Sequence, residues 1–267
     1  MASLFIFGLG YTASRLARRL ERDGWSVEST GSNGTMRFDD RDAVLAGLAR
    51  ATHVLSSVPP GEDGDAVLAT YGDAILSSPA RWIGYLSSTG VYGDTAGAWV
   101  DESAPIGTGR RSARSEADVR WQALGRPTHV FRLPGIYGPG RSVLERIGEG
   151  RARMIDLPEQ IFSRIHVDDI AGGVIAGMAG PGGVYNLADD MPCSQNEVVA
   201  HGSALLGIQP PPLQSLDEAG LSPAARAFYA ENRRVANGRA KRLLGWAPRY
   251  ADYRAGLAAC RAETTVP

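Results

Sequence analysis

The chain has 267 residues with 28 basic and 29 acidic side chains, 43% hydrophobic residues and two cysteines, the make-up of a globular protein of one large or two unequal domains. A formal net charge of −1 with no basic block sets nucleic acid aside as a partner, because phosphate neutralisation needs several clustered cations. The apolar run over 4–7 is far short of the ~20 residues of a membrane span, no secretory leader is legible, and Cys193 and Cys260 have neither CxxC spacing nor a metal-ligand pattern. These features predict a soluble cytoplasmic protein with reduced thiols, no metal and no membrane partner.

Residues 3–7 form a short, mostly apolar run that ends in Gly8 and Gly10, and from Tyr11 onward Ala13, Leu16, Ala17 and Leu20 recur at helical spacing until Asp23 and Gly24 stop them. This is strand, tight turn, helix. The pattern repeats with a strand over 25–30, a short one over 36–38, a helix over about 41–49, a strand over 52–57 and a helix over about 65–76. Residues 82–86 are apolar enough for a strand buried on both faces of a sheet. A helix over about 112–124, with Ala113, Ala117, Trp121 and Leu124 on one side, returns to a strand over 128–133. Such alternation implies a parallel sheet covered by helices, so the predicted fold class is α/β, a Rossmann-like doubly wound parallel sheet.

Beyond residue 133 the alternation fades, and Pro134, Gly138, Pro139, Gly140, Pro158, Pro181 and Pro210 to Pro212 break the chain into short pieces. A small carboxy-terminal α/β substrate domain is expected there. Residues 166–178 read as a helix with Asp168 and Asp169 near its amino end, where the dipole favours them, and 184–187 as one more strand of the main sheet. The expected division is a nucleotide-binding domain over 1–190, with an excursion at about 141–163 into the smaller domain, and a substrate-capping domain over 191–267.

Gly8-Leu9-Gly10-Tyr11-Thr12-Ala13 has the form GxGxxA and lies directly after the first strand, opening the first helix, where dinucleotide binding requires it. Gly8 allows the tight turn, Gly10 lets the backbone approach a pyrophosphate, and the small Ala13 lets helix pack on strand, while the helix amino end stabilises phosphates. A glycine turn without a ligand is the bland alternative. NAD recognition usually places an acid at the tip of the second strand, but this tip reads Ser29-Thr30-Gly31-Ser32-Asn33, and Glu28 lies too early and projects sideways. Ser32, Asn33 and the nearby Arg37 tolerate a 2′-phosphate better than a carboxylate would, so the expected cofactor is NADP rather than NAD. Asp39 reads either as a contact to the adenine edge or as a helix N-cap.

Residues 85–94 (YLSSTGVYGD) resemble the serine-bearing strand end of the extended short-chain dehydrogenase/reductases, the nucleotide-sugar epimerase and dehydratase group. Residues 131–140 (FRLPGIYGPG) resemble that group's RxxxxYGPG segment, 166–170 (HVDDI) its HVDD helix start, and 183–187, more loosely, its last sheet strand. Residues 97–102, 163–166 and 228–232 look like the atypical epimerase/dehydratase-like branch. The resemblance implies a Rossmann domain binding NAD(P), with Pro134 among the cofactor contacts, a small domain over the nicotinamide, a small-molecule substrate, and the homodimers common in the family.

In that family a serine or threonine and a YxxxK pair do the chemistry: the tyrosine moves the proton at the substrate oxygen while the lysine holds the nicotinamide ribose and lowers the tyrosine pKa. Ser88 matches the hydroxyl position. Aligning Glu116 with the acid that often follows the lysine puts Thr108 at the tyrosine position and Ser112 at the lysine position. The only lysine is Lys241, with Asn237 four residues before it, so no YxxxK exists anywhere in the chain. Arginine keeps its charge and its field can still depress a tyrosine or bind ribose hydroxyls; of Arg110, Arg111 and Arg114, which otherwise read as a solvated helix face, Arg111 is the candidate. Thr89 offers a second hydroxyl to a substrate oxygen, or packs. Tyr92 and Tyr137 sit at the carboxyl ends of strands, where ligands bind in such folds, and Tyr137 with Arg141 mimics tyrosine plus cation. Both tyrosines also read as structural, as does His166 at its helix entry.

Two functions follow. One is an NADP-dependent oxidoreductase or epimerase/dehydratase-like enzyme acting on a small polar substrate, with Ser88 and Thr89 hydrogen-bonding the reacting oxygen. The other is a non-catalytic NADP(H)-binding sensor or regulatory module, suggested by the missing pair, because a positioned proton donor is worth roughly 10²- to 10⁴-fold in rate.

Overall fold

Side chains alternate along β1 (Ser3–Phe7): Leu4 and Ile6 face one way, Phe5 and Phe7 the other, and all four are buried, so this strand needs a helical layer on each side. The computed structural model describes residues 2–107, 109 and 112–264 and has both layers. After β1 come α1 (Tyr11–Arg22), β2 (Ser26–Ser29), α2 (Arg41–Arg50), β3 (His53–Ser56), α3 (Ala66–Ser77) and β4 (Trp82–Ser88). A 3-10 turn at Thr89–Tyr92 leads to β5 (Trp99–Val100), α4 (Ser112–Gln122), β6 (Thr128–Leu133) and β7 (Gly135–Tyr137). Next are α5 (Val143–Gly148), β8 (Met154–Ile155), β9 (Arg164–His166), α6 (Val167–Ala179) and β10 (Gly183–Asn186). The chain closes with α7 (Gln195–Leu206), β11 (Leu213–Gln214), α8 (Pro223–Phe228), β12 (Arg234–Val235), α9 (Gly238–Leu244) and α10 (Tyr253–Thr264).

The main sheet has six strands in the order β10-β6-β4-β3-β1-β2, every neighbouring pair parallel. The chain steps outward from β1 to β2, then returns past β1 to β3. The winding therefore reverses at the carboxyl ends of β1 and β3, where a crevice opens in sheets of this kind. One face is covered through Leu16 and Leu20 of α1 and Ile170 and Val174 of α6, the other through Val44, Leu48, Tyr71, Ile75 and Trp121 of α2, α3 and α4. This is the Rossmann-like α/β architecture that the alternation predicts.

One expected element is absent. Over 36–38 only a single bridge, Thr30 to Met36, extends the sheet edge. Phe38 instead turns inward, its ring edge-on to Tyr71 and its carbonyl accepting the Tyr71 hydroxyl at 2.6 Å. Burying an aromatic ring outweighs one more row of edge hydrogen bonds.

β7 continues from the carboxyl end of β6 and pairs in parallel with β9, while β8 pairs with β11 and β5 with β12. A separate apolar cluster forms there from Tyr137, Leu144, Ile147, Val198, Val199 and Leu257 with their neighbours. Ala240 and Trp246, late in the chain, instead join the main core beside α1 and α6. Among the described residues no helix is long and apolar enough to cross a membrane.

Candidate functional site

The glycine turn occupies the point where the winding reverses. Gly8 has φ +84°, and a Cβ there would stand 2.8 Å from Val58 Cγ2, so the left-handed backbone and the neighbouring exit of β3 both require glycine. Its amide donates to Thr30 Oγ1 at 3.1 Å and the Leu9 amide to the Thr30 carbonyl at 2.9 Å, fastening the turn to the tip of β2. Gly10 is the N-cap residue of α1 and offers no side-chain cap, whereas Asp40, Asp65, Ser142 and Ser194 cap α2, α3, α5 and α7. A Cβ on Gly10 would meet nothing within 4 Å among the described residues. The amino end of α1, with Tyr11 and Thr12 in its first turn, thus presents uncompensated amides and partial positive charge to open space, the arrangement that binds phosphate. Ala13 is buried against the sheet.

The YGPG segment folds over this turn. The Tyr11 hydroxyl donates to the Pro139 carbonyl at 3.0 Å, the Arg141 guanidinium lies 5.5 Å above the Tyr11 ring, and a Cβ on Gly138 would come within 2.5 Å of the Tyr11 hydroxyl. Burial pushes that hydroxyl up to about 12, so it stays a protonated donor. Pro134, half-buried, joins β6 to β7. Tyr137 points into the smaller cluster, edge-on to His166 at 5.2 Å; burial raises its pKa, and its hydroxyl has no hydrogen-bond partner among the described residues.

On the other side of the turn, Ser32 and Asn33 are exposed in the loop after β2. Arg37 and Asp39, also exposed, form a two-pronged pair at 2.9 and 2.8 Å, which holds the Asp39 carboxyl below its ordinary range. Asp40, not Asp39, caps α2, because its carboxylate is the one that reaches the Ala43 amide. Glu28 turns aside to Arg50 at 2.7 Å.

Ser88 ends β4. Its Oγ accepts the Gly90 amide at 3.1 Å, which leaves the hydroxyl proton free to be donated. Thr89 is buried in the following turn. A Cβ on Gly109 would stand 2.0 Å from the Gly90 carbonyl, so Gly109 lies directly against the Ser88 turn. Thr108, Arg110 and the candidate Arg111 lie outside the described residues. Arg114, in the first turn of α4, opposes by its charge the rise that burial gives the Tyr85 hydroxyl. Lys241 pairs with Asp190 at 2.6 Å on α9.

Beneath Ser88 lies a buried polar network that the sequence did not reveal. The Ser87 hydroxyl donates to Asp118 Oδ2 at 2.5 Å, and Arg132 grips the same carboxylate through Nε at 3.1 Å and Nη2 at 2.8 Å. Arg132 Nη1 donates to the Tyr92 hydroxyl at 3.0 Å, which in turn donates to Asn186 Oδ1 at 2.8 Å. Tyr92 is thereby committed inside the molecule, its pKa raised by burial. Asp118 and Tyr92 carry no periodic signal that sets them apart, and only the arginine between Phe131 and Leu133 in a buried strand hints at a partner. His166 has a similar role: its Nδ1 accepts the Asp168 amide at 3.2 Å, and burial pushes its pKa down to about 4.

No family model matches the chain. Over 140 residues it is 31% identical to the 3-diazoavenalumate denitrifying reductase of a Streptomyces species; that match takes in 48% of this chain and 45% of the reductase, so the chain matches under half the length of this curated relative. The structure of a conserved protein of unknown function from Silicibacter pomeroyi DSS superposes with a TM-score of 0.88 at 43% identity, covering 98% of this chain and 99% of that one. The chain belongs to that protein's family. The human epimerase family protein SDR39U1 (isoform 2), solved with NADPH, shares this fold at a TM-score of 0.76 and 17% identity, over 97% of this chain and 99% of its own. Within the epimerase/dehydratase fold, the groups here that suit a dinucleotide are the Gly8 to Ala13 turn and the loop after β2.

Proposed function

We propose that the protein binds NADP(H) and acts as an oxidoreductase or epimerase/dehydratase-like enzyme on a small polar substrate, with an atypical active site. The observation that carries this reading is the uncapped amino end of α1, open at Gly10 and roofed by the YGPG segment. Residues 8–13 would hold the pyrophosphate, with Pro134 and the Arg141 side of the roof close by. Ser32, Asn33 and Arg37 would take the 2′-phosphate, which competes with Asp39 for the guanidinium. The cofactor, when bound, supplies hydride transfer. Ser88 donates its free hydroxyl proton as a hydrogen bond to the substrate oxygen, Thr89 supports the turn, and Arg111, next in sequence to the position of the family's lysine, contributes positive charge. The packed Tyr92 and Tyr137 position the site's walls. The name of the Streptomyces relative supports a reductive direction, and the two buried cysteines, Cys193 and Cys260, suit a reducing, cytoplasmic setting.

Titration with NADPH and NADH, followed by cofactor fluorescence, tests the reading, and a screen of aldehydes, ketones and nucleotide sugars for turnover extends it. NADPH is expected to bind more tightly than NADH, and Arg37→Ala to weaken NADPH more than NADH. Failure of both dinucleotides to bind at millimolar concentration overturns the proposal, and equal effects of Arg37→Ala overturn the NADP preference. A second reading, an NADP(H) sensor, is favoured by one observation: the only lysine is paired with Asp190 on α9. Tight NADPH binding with no turnover, unchanged in Ser88→Ala, would select it.

A further inference from the structure

We propose that Arg233 anchors the substrate at the Ser88 site and that the substrate carries an anionic group, a carboxylate or a phosphate. This rests on the reading of Ser88 as a hydroxyl that meets the substrate. Arg233 directly precedes β12, whose pairing with β5 fixes the backbone there. Its side chain is largely buried, 16% exposed. Nη1 is committed, donating to the Gly93 carbonyl at 2.7 Å and to Glu231 Oε2 at 2.9 Å. Nη2 has no hydrogen-bond partner among the described residues.

The direction of that second nitrogen decides the assignment. The point where a Cβ on Gly90 would stand is 3.3 Å from Ser88 Oγ and 4.0 Å from Arg233 Nη2. The serine hydroxyl and the unused edge of the guanidinium therefore converge on one point beside Gly90, which the missing side chain of glycine leaves unfilled. A guanidinium presents a planar fork that matches the two oxygens of a carboxylate or phosphate. Here half of the fork is held by the protein and half is turned toward Gly90 and the Ser88 hydroxyl. Glu231, itself buried, balances the arginine's charge, so that the cation is not left uncompensated away from water. An incoming anion shares the guanidinium with that carboxylate and sets one end of the substrate at a fixed distance from Ser88.

Isothermal titration with benzoate and with phenyl phosphate, each on the protein with and without saturating NADPH, tests the assignment. At least one anion should bind, and Arg233→Ala should weaken it by roughly tenfold or more, as expected for losing a charge-assisted hydrogen bond. Arg233→Lys should retain part of the affinity, and Glu231→Gln should strengthen binding, a gain that a merely structural ion pair would not produce. Tighter benzoate identifies a carboxylate-bearing substrate, tighter phenyl phosphate a phosphate-bearing one. No binding of either anion to the wild type, or equal affinities of the wild type and Arg233→Ala, overturns the proposal; should Arg233→Ala fail to fold by circular dichroism, the Arg233→Lys and Glu231→Gln titrations decide it, and unchanged affinity in both overturns it. NADPH binding in the same samples reports separately on the cofactor. An Arg233-dependent anion site without NADPH binding leaves this inference standing and removes the enzyme reading.

Discussion

Gly8 and Gly10 are two residues apart in one motif, yet they are glycine for different reasons, and substitution separates them. Gly8 adopts a left-handed backbone and lies against Val58. Gly8→Ala should therefore cost about 1–2 kcal/mol from the backbone alone, with the Val58 contact adding to it. Gly10 has ordinary dihedrals and faces open space. Gly10→Ala should leave the melting temperature within a few degrees of wild type while weakening NADPH by roughly tenfold or more, because the added methyl stands where the pyrophosphate approaches. Melting curves and NADPH titrations on both variants check this; a Gly10→Ala protein that binds NADPH normally would remove the turn from the cofactor site. The motif was legible in the sequence because each of its roles is local. The direction of Arg233 was not, since nothing near residue 233 records that Gly90 lies beside it.

At the level of elements, α4 and β6 are joined by a buried ion pair as well as by apolar packing. The Arg132 and Asp118 side chains are 3% and 0% exposed. Removing water from both charges is costly, and the pair persists because Ser87, Gln122 and Tyr92 complete its hydrogen bonds. Asp118→Ala strands a buried guanidinium and should cost about 3–5 kcal/mol in urea unfolding, whereas the double change Asp118→Leu with Arg132→Met should recover most of that loss. A double variant as unstable as the single one would mean that the network is favourable in its own right. Helices and main strands of this size announce themselves by periods of 3.6 and 2. The two-residue strands β5, β8, β11 and β12 are too short to carry a period, so their pairing came only with the tertiary structure.

For the whole molecule, Asp189 sits between the last sheet strand and the smaller cluster, its amide donating to the Arg164 carbonyl at 2.8 Å. The residue is 2% exposed; Oδ1 accepts the Met191 amide at 3.2 Å, and Oδ2 has no partner among the described residues. Burial pushes its pKa up to about 7. The folded chain thus keeps a proton that the unfolded chain, with an aspartate pKa of about 3.9, releases sooner. That stabilisation is complete below about pH 4 and is lost as pH rises through about 7, at up to ~1.4 kcal/mol per pH unit. Urea unfolding from pH 4 to pH 8 should show the wild type losing stability relative to Asp189→Asn across this window; parallel profiles would mean that the carboxyl is ionised in the folded state.

By itself the sequence determined the parallel α/β sheet, the glycine turn at its reversal point, and the absence of a YxxxK pair, since one lysine with an asparagine four residues before it settles that without any structure. These are statements about neighbours along the chain, where side-chain direction repeats with a fixed period and residue identity alone is decisive. Only the tertiary structure decided that Tyr11 is clamped beneath Pro139, that Phe38 leaves the sheet edge for the core, that Tyr92 is bound to Arg132, and that Arg233 faces Ser88. Each of these joins residues far apart in sequence. Their meeting depends on how the layers pack and how closely backbones approach at glycine, which no local pattern encodes.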